Sequence, residues 1–569
     1  MTKRKFRNLA LATAVAAIFA PAAFSEQKGG NDAASALNDA AVIRNLDIFN
    51  SLYKELNTFY VDTLNAKKHI ETAINAMLDE IDPYTEYISD DAQDDFMVIS
   101  TGEYGGIGSY IMERKTGGVY ISGPYAGSPA ARAGLKSGDQ IIMIDGDSVA
   151  GWKSDKVSKR LKGQANTQIK LTIKRPYTPD SIRTFTFNRE KIKLNPVTYY
   201  GVTKDGMGYI ALNTYNEHSA EGVKKALLEF KANPAVKGVV LDLCGNGGGL
   251  VDEAIKILGF FLPKGTEVLT TKGRATKDFR VYKTSEQPIM PDMPLAVLID
   301  GGSASASEIT AGALQDLDRA VIVGGRSFGK GLVQTTRPLP FNSLLKLTIA
   351  KYYIPSGRLI QEIDYSQRNP DGTFKHKPDS LCNVFHTAHG REVRDGGGIT
   401  PDIKVTFPEA NRLVYNIVRG NWAFDYATKF ASEHPSIAPA GEFEITDEIY
   451  EDFKKFIDPN KFEYDKVCES GLSLLRKTAE TEGYMTDSVK TEFDKLEKML
   501  KHNLSHDLDR NRAQISRYLA SEIVKRYYYE TGECENELKY HKALEAATAM
   551  MKKPGEYERI LHLKKKKKK

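Results

Sequence analysis

Cysteine is scarce in this chain: four residues in 569, at Cys244, Cys382, Cys468 and Cys534, far apart and without a CxxC pair. That spacing excludes a zinc knuckle and a dense disulfide scaffold, and leaves room for one or two disulfides. Long apolar runs are missing too, since the stretch from Leu9 to Ala20 is short for a membrane span. An excess of one charge is also missing from the body of the protein. The formal +5 arises from four basic residues near the N-terminus (Lys3, Arg4, Lys5, Arg7) and six lysines at 564–569, and without them the rest carries −5. A mildly acidic body argues against nucleic acid as the partner. The terminal lysines read as a solvated arm or an appended tag. No tandem repeat is evident.

What is present begins with an N-terminus of secretory type: the basic start, the apolar stretch, then Ala23 and Ser25 ahead of a cut near residue 25. Export to the periplasm or another extracytoplasmic space is the expectation. Apolar residues at Ile43, Leu46, Phe49, Tyr53 and Leu56 have helical spacing and predict one or two helices within 38–97, ending at the turn Asp82, Pro83, Tyr84, Thr85. A docking or dimerisation helix is the reading there, so a homo-oligomer through helical regions is a candidate assembly. From 98 to 192 short β-rich runs are broken by glycine turns. From 193 to 408 apolar runs such as KGVVLDL and LAVLID alternate with helical ones, which predicts a βαβ core with a parallel sheet. From 409 to 563 the chain is charged and helical, with Ile515, Tyr518, Leu519, Ile523, Val524 and Tyr527 on one face.

Chemistry concentrates at GGSASASE, residues 301–308, between the run LAVLID and a helical stretch. Ser305 with Glu308 fits a capping box, a purely structural role. Its place after a buried strand and a Gly-Gly turn is also where α/β sheets open a ligand crevice. A serine hydroxyl needs a base before it becomes a nucleophile. His218, His386 and His389 keep a Ser-His-Asp triad open. The competing base is Lys330, which must be neutral to act, and walls such as Phe328, Leu332 and Val333 would lower its pKa. Ser343 and Lys346 form an S-x-x-K pair of penicillin-binding type, but FNSLLKLTIAKYY alternates like a strand and not like the helix start that motif needs. The glycine run after Cys244 matches neither a dinucleotide nor a phosphate loop, because Leu250 takes the third glycine's place.

GSASASEITAGALQDLDRA followed by GGRSFGKGLVQ resembles the signature of the C-terminal processing peptidases, or tail-specific proteases. The likeness extends over roughly residues 40–405 and includes DEIDPYTEYIS, LDLCGNGGG, KYYIPSGRLIQ and GGGITPDIKV. It implies an α/β and β multidomain chain: N-terminal helices, a PDZ domain, a βαβ, crotonase-like serine protease core and a C-terminal helical domain. It selects Ser305 as nucleophile, Lys330 as base and Gln334 as the third catalytic member, with Ser303 and Ser307 in support. Lys330 and Gln334 lie about 13 Å apart on a straight strand, so their contact requires a bend, which Gly331 would permit. An oxyanion hole is implied at the amides of Gly248 and Ala306. The segment 98–192 resembles a PDZ domain, with Gly106, Ile107, Gly108 and Ser109 as the carboxylate-binding loop for free C-termini. Cys244 stands where the family usually has arginine. No metal or organic cofactor is implied, and the rival reading is a catalytically silent PDZ adaptor.

Overall fold

The computed structural model describes residues 32–274, 279–407 and 411–563, so the secretory stretch and the lysine tail lie outside it. Two helices, Asp32–Phe59 and Ala66–Asp79, open the described chain, the second capped by the Asn65 side chain, which accepts from Lys68 N at 3.0 Å. The first keeps its apolar stripe uncovered, with Ile43 and Leu46 more than 60% exposed. Next, the Asp82 carboxylate accepts from the amides of Tyr84 and Thr85, both at 2.7 Å, and from Thr85 Oγ1 at 2.9 Å. This turn delivers the strand Glu86–Ile88, which pairs antiparallel with Ser343–Tyr353, Glu86 opposite Lys346. The N-terminal region is thereby joined to the sheet that carries Gln334.

The helix Asp90–Thr101 runs across residue 98 and ends on Gly102, whose φ of 67° favours glycine. A six-stranded sheet follows, closed by the pairing of Glu103–Gly106 with Glu190–Lys193 at its root. Its core is aliphatic: Ile121, Ile144, Ile169, Leu171 and Ile173 are fully buried. Ser109–Glu113 is an edge strand, paired only with Val119–Pro124.

The α/β core is a second six-stranded sheet, in the order Val197–Val202, Met207–Leu212, Gly238–Asp242, Leu295–Ile299, Val321–Gly324, Ile403–Lys404. All neighbours are parallel except the first pair. Gly238–Asp242 and Leu295–Ile299 are buried at every position, as strands covered on both faces must be. Alternation separates the two covers. Val239, Leu241, Val297 and Ile322 pack with the helices Ser219–Ala232, Val251–Gly259 and Ala306–Asp316. Val240, Leu298 and Val323 instead pack with Ala543, Leu544, Ala547 and Met550 of the helix Lys542–Lys552. The helix Lys542–Lys552 thus completes the cover of the α/β sheet, whereas residues from Leu413 to Val524 form a hydrophobic cluster of their own.

Ile515, Leu519, Ile523 and Val524 are buried as their spacing predicts, on the helix Arg512–Glu537, whereas Tyr518 is 45% exposed and lies off that face. The sheet built from Ser109–Asn188 leans on this region through Arg114, which donates to Asp425 (Nη1 to Oδ2, 3.1 Å) and covers the Tyr120 ring at 4.2 Å. All four cysteines are unpaired. Among the described residues no helix is long and apolar enough to cross a membrane.

Candidate active site

Ser305 caps the helix Ala306–Asp316 with φ 55° and ψ −113°. For a residue with a side chain this backbone costs about 1–3 kcal/mol, a strain that persists where surrounding contacts hold it. The neighbouring serines supply part of that hold. Ser303 Oγ donates to Leu243 O at 2.7 Å and accepts from Asp300 N, and Ser307 Oγ donates to Asn246 O at 2.8 Å. Both tie the serine turn to the glycine loop, with their hydroxyl protons already committed to backbone carbonyls.

Glu308 does more than cap. One oxygen of its fully buried carboxylate accepts from Ser305 N and Lys330 N, each at 2.9 Å, and the other from Ser327 Oγ at 2.5 Å and Gly329 N at 2.7 Å. Burial pushes this acid up to about 7, against the pull of the four donors. A single carboxylate oxygen therefore holds the backbones of Ser305 and Lys330. Tyr352 adds a second brace, its hydroxyl donating to Lys330 O and lying 3.3 Å from Ser305 O. A carboxamide in place of this carboxylate would turn an NH2 toward donors on one side or the other. Glu308→Gln is expected to lower kcat by about 10- to 100-fold with KM little changed, because an ångström of misplacement is enough for such losses. Steady-state kinetics on one peptide checks this, and an unchanged kcat would show that the carboxylate only caps.

Lys330 is completely buried, and its amine makes no hydrogen bond. Burial, then the nearby Lys346 ammonium, hold its pKa down at about 7. The walls are the expected set only in part. Phe328 is 39% exposed and turns away, Leu332 is buried, and the aromatic face is that of Tyr84, with the amine 4.3 Å from its centroid. Gln334 Nε2 donates to Thr348 Oγ1 at 3.1 Å, while its Oε1 is buried without a partner. The expected bend is a bulge between Val333 and Gln334 in the pairing of Leu332–Leu339 with Ser343–Tyr353, and the positive φ of 85° falls on Gly329, not on Gly331. Ser343 and Lys346 lie on that second strand, and Lys346 pairs with Glu86 at 3.4 Å, so the S-x-x-K pair is structural.

A Cβ on Gly248 would stand 2.9 Å from both Ala306 N and Ser305 Cβ, so only glycine fits beside Ser305. The Gly248 amide, however, donates to Asn246 Oδ1 at 2.9 Å. An oxyanion donor at Gly248 thus requires the loop to release that bond, whereas Ala306 N has no acceptor among the described residues. No histidine bonds to Ser305. His218 pairs with Glu103 at 3.1 Å, His389 contacts Leu561 O at 3.1 Å beside Asp318, and His386 is exposed.

Cys244 lies beside Asp242 and His541, a set of metal-ligand type. Its atoms are already used. Asp242 accepts from Cys244 N at 2.9 Å, Tyr209 OH at 2.5 Å and His541 Nε2 at 2.7 Å, and His541 Nδ1 accepts from Leu544 N at 3.2 Å. A metal on Nε2 would need a proton on Nδ1 and would cost the helix its cap. Burial and Asp242 push the Cys244 thiol well up, so it is no thiolate nucleophile.

In the β-rich region Gly106 ends a strand opposite Glu190, Ile107 is buried in the core, Gly108 has φ 72°, and Ser109 starts the edge strand. The amides of Ile107 and Gly108 have no acceptor among the described residues. At the far end of the strand the Glu113 carboxylate accepts from Lys153 Nζ at 2.7 Å and Ser154 N at 3.1 Å, fixing the strand against the helix Ser154–Leu161. Open loop amides beside an edge strand are the two features by which a sheet takes a peptide as an added strand.

Comparison with known proteins agrees with this architecture. Three family models match: peptidase family S41 over 206–371, a PDZ domain over 120–175, and the probable PDZ-protease C-terminal helical domain over 413–551. A carboxy-terminal-processing protease of Bartonella bacilliformis is 38% identical over 330 residues, 57% of this chain and 75% of the relative. A probable CtpA-like serine protease of Staphylococcus aureus is 32% identical over 440 residues, 76% of this chain and 85% of the relative. Among solved structures, a photosystem II D1 C-terminal processing protease is 27% identical, with 63% of this chain and 86% of that one covered and a TM-score of 0.34. The chain belongs to the carboxy-terminal-processing serine peptidases of family S41, with a PDZ domain and the helical C-terminal domain of PDZ-proteases.

Proposed function

We propose that the protein is an exported endopeptidase that captures the C-termini of protein substrates on its PDZ groove and cleaves peptide bonds near them with Ser305, Lys330 and Gln334. The observation that carries this reading is the buried amine of Lys330, held near neutrality and anchored through Glu308 to the same carboxylate oxygen as Ser305. Because both backbones are fixed, only the lysine side chain has to swing for the two groups to meet.

The neutral amine then takes the Ser305 Oγ proton as Oγ bonds to the scissile carbonyl carbon, and the carbonyl oxygen becomes an oxyanion on Ala306 N, joined by Gly248 N once Asn246 lets go. Collapse breaks the C–N bond, and the ammonium returns its proton to the leaving amine. Neutral again, Lys330 takes a proton from water, whose oxygen attacks the acyl carbon. The C–Oγ bond breaks, the proton passes to Oγ, and the free carboxyl product leaves. Gln334 Oε1 serves as the acceptor that steadies the amine in the engaged position.

Capture rests on the amides of Ile107 and Gly108 and on the edge strand Ser109–Glu113. A free carboxylate supplies charge-assisted hydrogen bonds, worth roughly 1.5–3 kcal/mol, that an amide cannot match. Amidating the C-terminus of an unfolded substrate is expected to slow cleavage at low substrate concentration by about one to two orders of magnitude. Paired kinetics on one peptide with free and amidated ends tests this, and equal rates would show that the end is not read. Self-association through the uncovered face of Asp32–Phe59, where Ile43, Leu46, Phe49 and Leu52 stand exposed, completes the proposal.

A further inference from the structure

Two polar atoms in the catalytic region are buried without a partner, Lys330 Nζ and Gln334 Oε1. A buried donor and a buried acceptor left open are each costly, and a hydrogen bond between them would satisfy both. The amine instead lies against the face of Tyr84, 4.3 Å from the ring centroid. That ring is itself fixed. Tyr84 is 4% exposed, its amide is held by Asp82, its hydroxyl meets that of Tyr365 at 3.0 Å, and the two rings stand edge to face at 5.7 Å. Burial raises the Tyr84 phenol far above its ordinary range, so it is a wall and not a second base.

We propose that Tyr84 is a positioning residue for the general base: its ring receives the Lys330 ammonium in the resting enzyme and keeps the amine from Ser305 until the proton has left. The proposal rests on Lys330 being the base. A cation is attracted to a ring face, whereas a neutral amine is not. Loss of the proton therefore frees the side chain to reach Gln334 Oε1 and Ser305, and its regain returns it to the ring. Tyr84 lies on the turn between the N-terminal helices and the strand Glu86–Ile88, so the N-terminal region contributes directly to the lysine's resting place. The charged groups that act on the amine are Lys346, which disfavours its protonation, and Glu86, Glu308 and Asp82, which favour it. All four are unchanged by substitution of the Tyr84 ring.

The test is a graded series at residue 84 in the full-length enzyme: Tyr84→Phe, then mono-, di- and trifluorophenylalanine, which drain the ring face of negative charge while nearly preserving its shape. The readout is the acid limb of kcat/KM against pH. The limb is expected to move stepwise to lower pH, by about 0.4–1.5 units over the series, with KM constant above the limb. At pH 6 the most fluorinated variant would be about two- to eightfold more active than Tyr84→Phe, because an amine with its pKa at about 7 is already about one-eleventh neutral there. A purely structural ring would lower kcat at every pH and leave the limb in place. A fixed limb across the series, with Lys330→Met inactive, overturns the role of Tyr84 and leaves the dyad standing. Activity retained in Lys330→Met overturns the dyad and this proposal together.

Discussion

Alanine at Ser305 is expected to abolish peptide hydrolysis, with a loss on the order of 10⁶-fold in kcat, as for removal of a serine nucleophile elsewhere. The fold should survive, because a capping hydroxyl is worth about 1 kcal/mol and alanine is no worse suited than serine to a φ of 55°. A thermal midpoint within a few degrees of the parent, about 2–4 °C, checks that half of the expectation. Ser303→Ala is the matched control. It removes bonds to Leu243 O and Asp300 N, so it loosens the turn while keeping the nucleophile, and it retains measurable turnover. A serine-directed acylating probe, followed by peptide mapping, should label Ser305 alone. A dead Ser303→Ala beside an active Ser305→Ala would move the nucleophile by two residues, and an unlabelled protein would be the silent PDZ adaptor.

Much of this site was legible because its parts are local. A buried run, a Gly-Gly turn and a helical stretch place Ser305 at a strand-to-helix junction, where backbone strain and an open amide at Ala306 coincide. The helix Arg512–Glu537 was legible for the same reason, since its stripe repeats within one element, and only Tyr518 broke the pattern. Two contacts that place Lys330 are not local. Glu308 reads as a capping glutamate and does cap, but its second partner is an amide on a loop beyond the next strand, which nothing in S-x-x-E reveals. Tyr84 belongs to an N-terminal turn, and only the pairing of Glu86–Ile88 with Ser343–Tyr353 brings it to the lysine. Among the hydrophobic neighbours in sequence Phe328 is 39% exposed while Leu332 is buried, and the ring face at the amine comes from the distant Tyr84. The resting state was also beyond the sequence, which names the donors of an oxyanion hole and not whether Asn246 already holds one of them.

Methionine at Lys330 is expected to be as inactive as alanine at Ser305, because it keeps the length of the side chain and removes the base. Arginine there should fail too, since a guanidinium does not give up its proton in a protein. In the parent enzyme the amine acts only when neutral. With its pKa held down at about 7 by burial and Lys346, kcat/KM should fall about tenfold per pH unit below that value and level off above it. The same shift fixes the sign of a stability effect. Between about 7 and the ordinary lysine value of 10.5 the unfolded chain keeps a proton that the folded chain has released, so this group makes stability rise with pH across that window. Below about 7 both states carry the proton and the full penalty of a buried cation stands. Lys330→Met therefore should be more stable than the parent at pH 6, by about 2–4 kcal/mol, with the gap closing as pH rises toward 10. Denaturant midpoints of the two proteins at pH 6, 7.5 and 9 measure it. A stabilised, inactive variant is the signature of a residue kept for chemistry at the expense of the fold. Were Lys330→Met active and His386→Ala or His389→Ala dead, a histidine triad would have to replace the dyad, against an exposed His386 and a His389 bound to Leu561 O.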